Sequence, residues 1–453
     1  MNFRERAAAV AAILLVAACG GTPPQGASPD PAAGSGAGST SAETGTPSTT
    51  NTATTSTGST TGTGGTSATA TTGGGAGAAT PGSASGAAAA APNVVPLTVN
   101  GSTCSAARYL NKPCVSVTVC EPGTSTCQTI DDVLLDTGSY GLRLFGQILT
   151  VHLPRVASGA GTLAECVQYA GASADWGPVA RAAIVLGGEP AVLASIQVID
   201  AGFAAVPASC PGVATSPADA GLNGILGVGA LVQDCGTGCA ISARNGIYYS
   251  CSGSTCTGAA VPLASQVQNP IALLPSDGNG LVIDLPAVAA SGAPSVTGTL
   301  TLGIGTRGNN VPPANRTVLA LDRFGEFTTT FAGTSYAGFL DTGSNGLFFG
   351  PPSTSPIASC AAPNADWFCP AAMLALEATD AGAAGGATAQ VSFQIGNFLQ
   401  LLSNGDAVYP DVGGSAPASA GFDWGLPFFL GRSVYVGLAG GSSALGAGPL
   451  VAF

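Results

Sequence analysis

The sequence predicts a mostly β protein built as two related halves, and two observations carry that prediction. Short runs of Val, Ile, Leu, Thr and Phe separated by Gly, Pro, Asn and Ser recur from Val115 onward, a pattern of strands and turns with little helical period. The tetrapeptide Asp-Thr-Gly-Ser occurs twice, at residues 136–139 and 341–344, each time behind an apolar run and ahead of a Gly-Leu pair. A second motif repeats in register with it. Gly224-Ile225-Leu226-Gly227 places its last Gly 91 residues behind Asp136, and Phe429-Leu430-Gly431 places its Gly 90 behind Asp341. Four segments matched in order mark an internal duplication.

Along the chain, strands are expected at 115–119, 133–135, 182–186, 196–199, 281–285, 299–302, 317–321, 328–331 and 434–438. One helix is expected at 371–378, opening after Pro370 with Leu374 and Leu376 to pack. Gly303-Ile304-Gly305-Thr306-Arg307-Gly308 has the glycine pattern of a dinucleotide loop, but Asn309-Asn310-Val311-Pro312-Pro313 cannot open the helix that such a loop needs at a pyrophosphate.

The first 18 residues read as a signal peptide, with Arg4 and Arg6 ahead of a short apolar stretch. The stretch ends in Val16-Ala17-Ala18-Cys19, similar to a bacterial lipobox, so Cys19 is expected to carry lipid and to hold the protein to the cell envelope, at the outer membrane. Residues 19–92 are Gly, Ser, Thr, Ala and Pro with almost no charge or aromatics, too poor in apolar area to fold, and are expected to act as a flexible tether. Residues 93–453 suffice for two domains of ordinary size in a monomer.

Apart from Cys19, twelve cysteines remain, an even set that in an exported protein reads as disulfides. Proximity pairs Cys104 with Cys114, Cys120 with Cys127, Cys166 with Cys210, Cys235 with Cys239, Cys251 with Cys256 and Cys360 with Cys369. No metal is expected, because there is no Cys-x-x-Cys and His152 is the single histidine. The same scarcity argues against a Ser/His/Asp triad. With 24 acidic against 12 basic residues and a net charge of −12, the chain has no basic patch to neutralise phosphates, so nucleic acid is not an expected partner.

The paired carboxylates carry the chemistry. Hydrolysing a peptide bond without metal or covalent intermediate requires an activated water and a delivered proton, and two facing carboxyls that share one proton supply both. Gly138 and Gly343 allow tight turns that bring backbone amides to Asp136 and Asp341, and Ser139 and Ser344 are placed to donate to their outer oxygens. Lone acids such as Asp234, Asp284 and Asp322 are expected to be solvated or capping residues.

At these residues the chain resembles the pepsin-like aspartic proteases, whose two lobes each supply an Asp-Thr-Gly loop and a later apolar-apolar-Gly segment wrapped around it. Asn269-Pro270, Gly280-Leu281-Val282-Ile283 and Trp424 are further matches. The chain is also similar to a bacterial lipoprotein family of uncharacterised function related to pepsin, through Leu302-Gly303-Ile304-Gly305-Thr306 and Asn309-Asn310. The resemblance implies a bilobal β fold divided at 298/299, an interlobe cleft, no cofactor, and endopeptidase action on extended peptides or unfolded proteins. It makes Asp136 and Asp341 the catalytic pair, has Thr137 and Thr342 bond across the interface, and assigns Ile225, Leu226, Gly227, Phe429, Leu430 and Gly431 to the wrapping segments. Tyr169 is the candidate flap tyrosine, although the family's Gly-Thr-Gly after it is absent; its other reading is a half-buried strand residue. Leu142, Arg143 and Leu144 stand where the family commonly has an aromatic-rich strand. A competing reading keeps the fold and uses it to bind a protein or peptide partner without catalysis.

Overall fold

The computed structural model describes residues 91–105, 109–169 and 173–453; the expected signal segment, Cys19 and nearly all of the tether lie outside them. The main strands are β1 (Val94–Val99), β2 (Pro113–Cys120), β3 (Cys127–Asp136), β4 (Tyr140–Phe145), β5 (Gly161–Gln168), β6 (Ala174–Val185), β7 (Val192–Ile199), β8 (Gly224–Val228), β9 (Gly280–Leu285), β10 (Val296–Leu302), β11 (Phe327–Phe331), β12 (Thr334–Asp341), β13 (Leu347–Phe349), β14 (Leu374–Ala381), β15 (Thr388–Ile395), β16 (Phe422–Gly425), β17 (Arg432–Gly437) and β18 (Leu450–Ala452). The protein is mostly β, as the punctuated apolar runs require.

Strands β2, β3, β8, β4, β7 and β6 pair in that order, and β6 pairs back to β2, which closes a barrel. The same sheet continues from β2 through β1, β10 and β9 to β17 and β18, so strands from the end of the chain complete a sheet begun at its start. Strand β10 crosses the 298/299 boundary. A separate 7-stranded sheet holds β11 to β16 and Gly413–Ser415.

Alternation decides which side chains face inward. In β2, Val115, Val117 and Val119 are wholly buried, each contributing roughly 1.5–3 kcal/mol by leaving water. The twin motifs sit in twin settings: β3 runs parallel to β8 with β4 antiparallel on its other side, and β12 runs parallel to β16 with β13 antiparallel on its other side. All six proximity pairs of cysteines are bonded, among them Cys120–Cys127 and Cys251–Cys256 across hairpin ends.

No helix forms at 371–378: residues 374–378 belong to β14, which is paired along its length with β15, and residues 371–373 lie in the loop before it. Leu374 and Leu376 are two residues apart, which is strand spacing, and Pro370 ends the loop closed by Cys360–Cys369 instead of opening a helix.

The 7-stranded sheet is filled with rings, including Phe349 stacked on Phe422 at 4.5 Å and Phe422 against Trp424 at 4.4 Å. Within it Trp424 Nε1 donates to Thr329 Oγ1 at 3.1 Å, which donates to Asp380 Oδ1 at 2.7 Å. Burial pushes the Asp380 carboxyl up to about 7, against bonds from Thr329 and Trp424 that pull it down. A raised carboxyl means that the folded state keeps a proton which the unfolded state loses, so this residue's contribution is intact at low pH and is lost as pH climbs from about 4 to about 7. Asp380→Asn is therefore expected to be more stable than the parent by roughly 2–4 kcal/mol above pH 7, with the gap closing on acidification, as read by denaturant titrations at several pH values.

Candidate functional site

Strand β3 ends at Asp136 and β12 ends at Asp341, and the loops that follow bring the two carboxyls together. The loops are locked to each other. Thr137 N donates to Thr342 Oγ1 and Thr342 N to Thr137 Oγ1, both at 3.0 Å. Thr137 Oγ1 in turn donates to Leu340 O at 2.8 Å, and Thr342 Oγ1 to Leu135 O at 2.7 Å. All four bonds are buried, so each threonine satisfies a donor that would otherwise be stranded. Thr137→Val or Thr342→Val is expected to cost about 2–4 kcal/mol, from two lost bonds and one orphaned buried amide; a conservative Ser in either place recovers most of it, checked by urea denaturation.

Each carboxylate is cradled alike. Gly138 N donates to Asp136 Oδ1 and Gly343 N to Asp341 Oδ1, both at 2.8 Å, while Ser139 Oγ donates to Asp136 Oδ2 and Ser344 Oγ to Asp341 Oδ2. A Cβ on Gly138 would stand 2.6 Å from Asp341 Cγ and 2.8 Å from each of its oxygens. Only glycine permits that approach.

Neither carboxyl is exposed, and they lie within hydrogen-bonding reach of each other. Burial raises both. In Asp136 it is opposed by bonds from Asp341, Ser139 and Gly138; in Asp341 it is reinforced by the charges of Asp136 and Asp423, so Asp341 rises well above the usual carboxylate range. The protons belong to the pair and not to either residue alone.

The sequence missed three residues at the pair. Asp423 is 1% exposed and its Oδ2 lies 2.6 Å from Ser344 Oγ, whose single proton is shared between Asp423 and Asp341, while its Oδ1 has no partner. Tyr109 donates to Gly343 O at 2.5 Å, and burial together with the charges of Asp341, Asp136 and Asp423 holds its hydroxyl far above the usual range. Tyr140 is buried beside Asp136 and donates to Phe324 O across the gap at 3.3 Å. A carboxylate inside the apolar run Phe422-Asp423-Trp424-Gly425 was the available signal for the first.

Two expectations are corrected here. The segment beside the second Asp is β16, with Gly425 opposite Asp341 just as Gly227 is opposite Asp136. Phe429-Leu430-Gly431 instead leaves a short helix and joins β9, where Gly431 N donates to Leu285 O at 3.0 Å. A Cβ on Gly425 would be 2.0 Å from Gly346 O and one on Gly227 2.5 Å from Tyr140 N, the close backbone approach that the motif demands. Tyr169 is not free to reach the pair, because its hydroxyl donates to Asp175 Oδ2 at 2.7 Å inside a buried cluster.

Asp234 also departs from expectation. With Glu165 it flanks Arg143, whose Nη2 lies 3.0 Å from Glu165 Oε1 and 3.2 Å from Asp234 Oδ2. Arg143 Nη1 donates to Tyr140 O at 2.7 Å, so this buried cluster supports the chain just after the first motif. His152 is exposed in a loop, Trp176 is core, and Asp322 caps the amides of Phe324 and Glu326. Among the described residues one group has metal-ligand spacing, Cys104, Cys114 and Asp132, but its sulfurs are joined in a disulfide and offer no thiolate.

A cavity of about 620 Å³ reaches the first loop at Thr137 and Gly138 and is lined further by Tyr140, Val232, Phe324, Glu326 and Phe339, while neither Asp136 nor Asp341 is in its lining. A family profile described as a protein of unknown function, DUF3443, matches residues 89–453. The chain belongs to the DUF3443 family. Among curated proteins no match to this DUF3443 chain is found.

Proposed function

We propose that this chain is an aspartic peptidase with a bilobal, pepsin-like arrangement, anchored to the bacterial cell envelope by lipid on Cys19. The single observation that supports it most is the pair of carboxyls, buried against each other with the Gly138 amide face too tight for any side chain. Bringing two carboxyls together in a dry site is costly unless their shared proton is used. In the reaction Asp136 takes a proton from water as its oxygen attacks the peptide carbonyl, and Asp341 gives its proton to the carbonyl oxygen. Collapse of the diol breaks the C–N bond, the leaving amine takes the proton held by Asp136, and Asp341 regains its own. No cofactor takes part.

A second reading, a binding protein for a peptide or protein partner, is favoured by the complete burial of both carboxyls. The test is incubation of the purified full chain with an unfolded protein between about pH 3 and pH 7, with and without a pepstatin-type transition-state mimic. Cleavage blocked by the mimic supports the peptidase. A folded chain that binds peptide and never cuts it supports the second reading.

A further inference from the structure

The cavity of about 620 Å³ lies at the seam between the two halves. Its lining takes Thr137 and Gly138 from the first loop and the segment 230–238 behind β8, and, from the second half, residues of the turn at 321–326 ahead of β11 and Phe339 of β12. Gly138 sits against the Asp341 carboxyl, so the cavity comes within one residue of the pair. Arg323 and Thr237 in the lining are exposed while Leu321, Val436 and Val451 are buried, so it runs inward from the surface. The turn is fixed in place. Asp322 Oδ1 accepts from Phe324 N at 2.8 Å and from Glu326 N at 3.0 Å, and Tyr140 donates to Phe324 O. Gly325 has φ of 84°, and a Cβ on it would stand 2.7 Å from Tyr140 Oη.

Much of the wall is apolar, and one of its charges is left unused. Asp234 in the lining is already held by Arg143 and Tyr248. Arg323 is exposed, with its guanidinium 4.5 Å from the Phe324 ring centroid, where solvent and salt screen its charge. Glu326 is half-buried, and its carboxylate has no hydrogen bond or ion pair among the described residues. Burial and the charge of Asp322 raise it above its ordinary value, and an incoming cation would offset both. A Lys or Arg side chain matches this arrangement, since its aliphatic stem can lie along Val232, Phe324 and Phe339 while its head reaches a carboxylate. An Asp or Glu side chain would meet Glu326 and Asp322 with like charge. We propose that the cavity is the pocket for a Lys or Arg side chain of the substrate close to the bond that is cut, with Glu326 as the specificity-determining group. As a statement about substrate this rests on the peptidase reading; as a statement about binding it stands apart from it.

The test offers the purified full chain a series of peptides in which one position, scanned along the sequence, is Lys, Arg, acetyl-lysine, norleucine or Glu, with products read by mass spectrometry. Lys and Arg peptides are expected to be cut about tenfold or more faster than their acetyl-lysine and norleucine counterparts, the effect of one charge-assisted hydrogen bond, with the basic residue at a fixed distance from the cut. Glu326→Gln is expected to shrink that difference to about twofold or less, and Glu326→Lys to turn it toward Glu, while Arg323→Gln keeps it. Equal cutting of the whole series, or a preference for Glu in the parent, would overturn the pocket assignment and leave the peptidase reading in place. If nothing is cut, calorimetry with the same peptides separates the two. Tighter binding of Lys than of acetyl-lysine, lost in Glu326→Gln, would remove the peptidase reading alone, whereas no such difference would remove both. Should the Glu326 variants fail to fold, the contrast between Lys and acetyl-lysine on the parent decides the same point.

Discussion

Asp136→Asn and Asp341→Asn are each expected to lower peptide cleavage by at least about 10³-fold, because removing one partner removes base and acid together from a pair that shares one proton. The parent profile is expected to be bell-shaped. As pH falls, Asp136 takes up a proton and water loses its base. As pH rises through the elevated Asp341 transition, the acid is lost. Loss of activity in these variants will not be loss of fold, since both carboxyls are raised by burial. A raised carboxyl favours the folded state at low pH and penalises it as pH climbs past the usual carboxylate range, so each Asn variant is expected to be at least as stable as the parent near neutrality. Rates across pH, measured beside melting curves of the same samples, check both halves of this expectation.

The largest effect on stability is expected at Arg143. Its guanidinium is 1% exposed and stands between Glu165 and Asp234, and Tyr248 Oη adds a bond to Asp234 Oδ1 at 2.7 Å. Burial and the Asp234 charge raise Glu165 well above the usual range, with Arg143 opposing them. Arg143→Leu leaves these acids buried without their cation and is expected to cost about 3–5 kcal/mol in denaturant unfolding. Glu165→Gln is expected to be mild, because the acid it replaces is raised toward its neutral form. Replacing Arg143, Glu165 and Asp234 together with apolar residues is expected to recover much of the Arg143→Leu loss. If Arg143→Leu alone proves neutral, the cluster is not what supports Tyr140 and the first motif.

Much of this was legible in the sequence because it is local. The Asp-Thr-Gly-Ser loops, the bonds of their own amides and serines, and disulfides as close as Cys235–Cys239 lie within short stretches whose chemistry is written residue by residue. What could not be read depends on pairing at long range. Tyr109 meets Gly343 across 234 residues, and nothing in the connection between β1 and β2 announces that it crosses to the other half. The wrapping segment of the second half is hidden in the sequence because a carboxylate, Asp423, interrupts the apolar pattern of β16, while Phe429-Leu430-Gly431 keeps the pattern without the position. Tyr169 is similar to a flap tyrosine in local character alone, whereas Asp175 on the partner strand captures its hydroxyl. The strand at Leu374–Ala381 follows from pairing with β15, a tertiary contact that overrides the local start signal of Pro370.

The central claim is that Asp136 and Asp341 hold one proton between them, and ¹³C labelling of the aspartate carboxyls tests it most directly. In the parent, compared with Asp341→Asn to assign the signals, two carboxyl resonances are expected to titrate together, one of them staying protonated well above the usual value of 3.8. Two resonances that titrate independently near that value would mean that the carboxyls do not face each other, and the hydrolytic reading would lose its foundation.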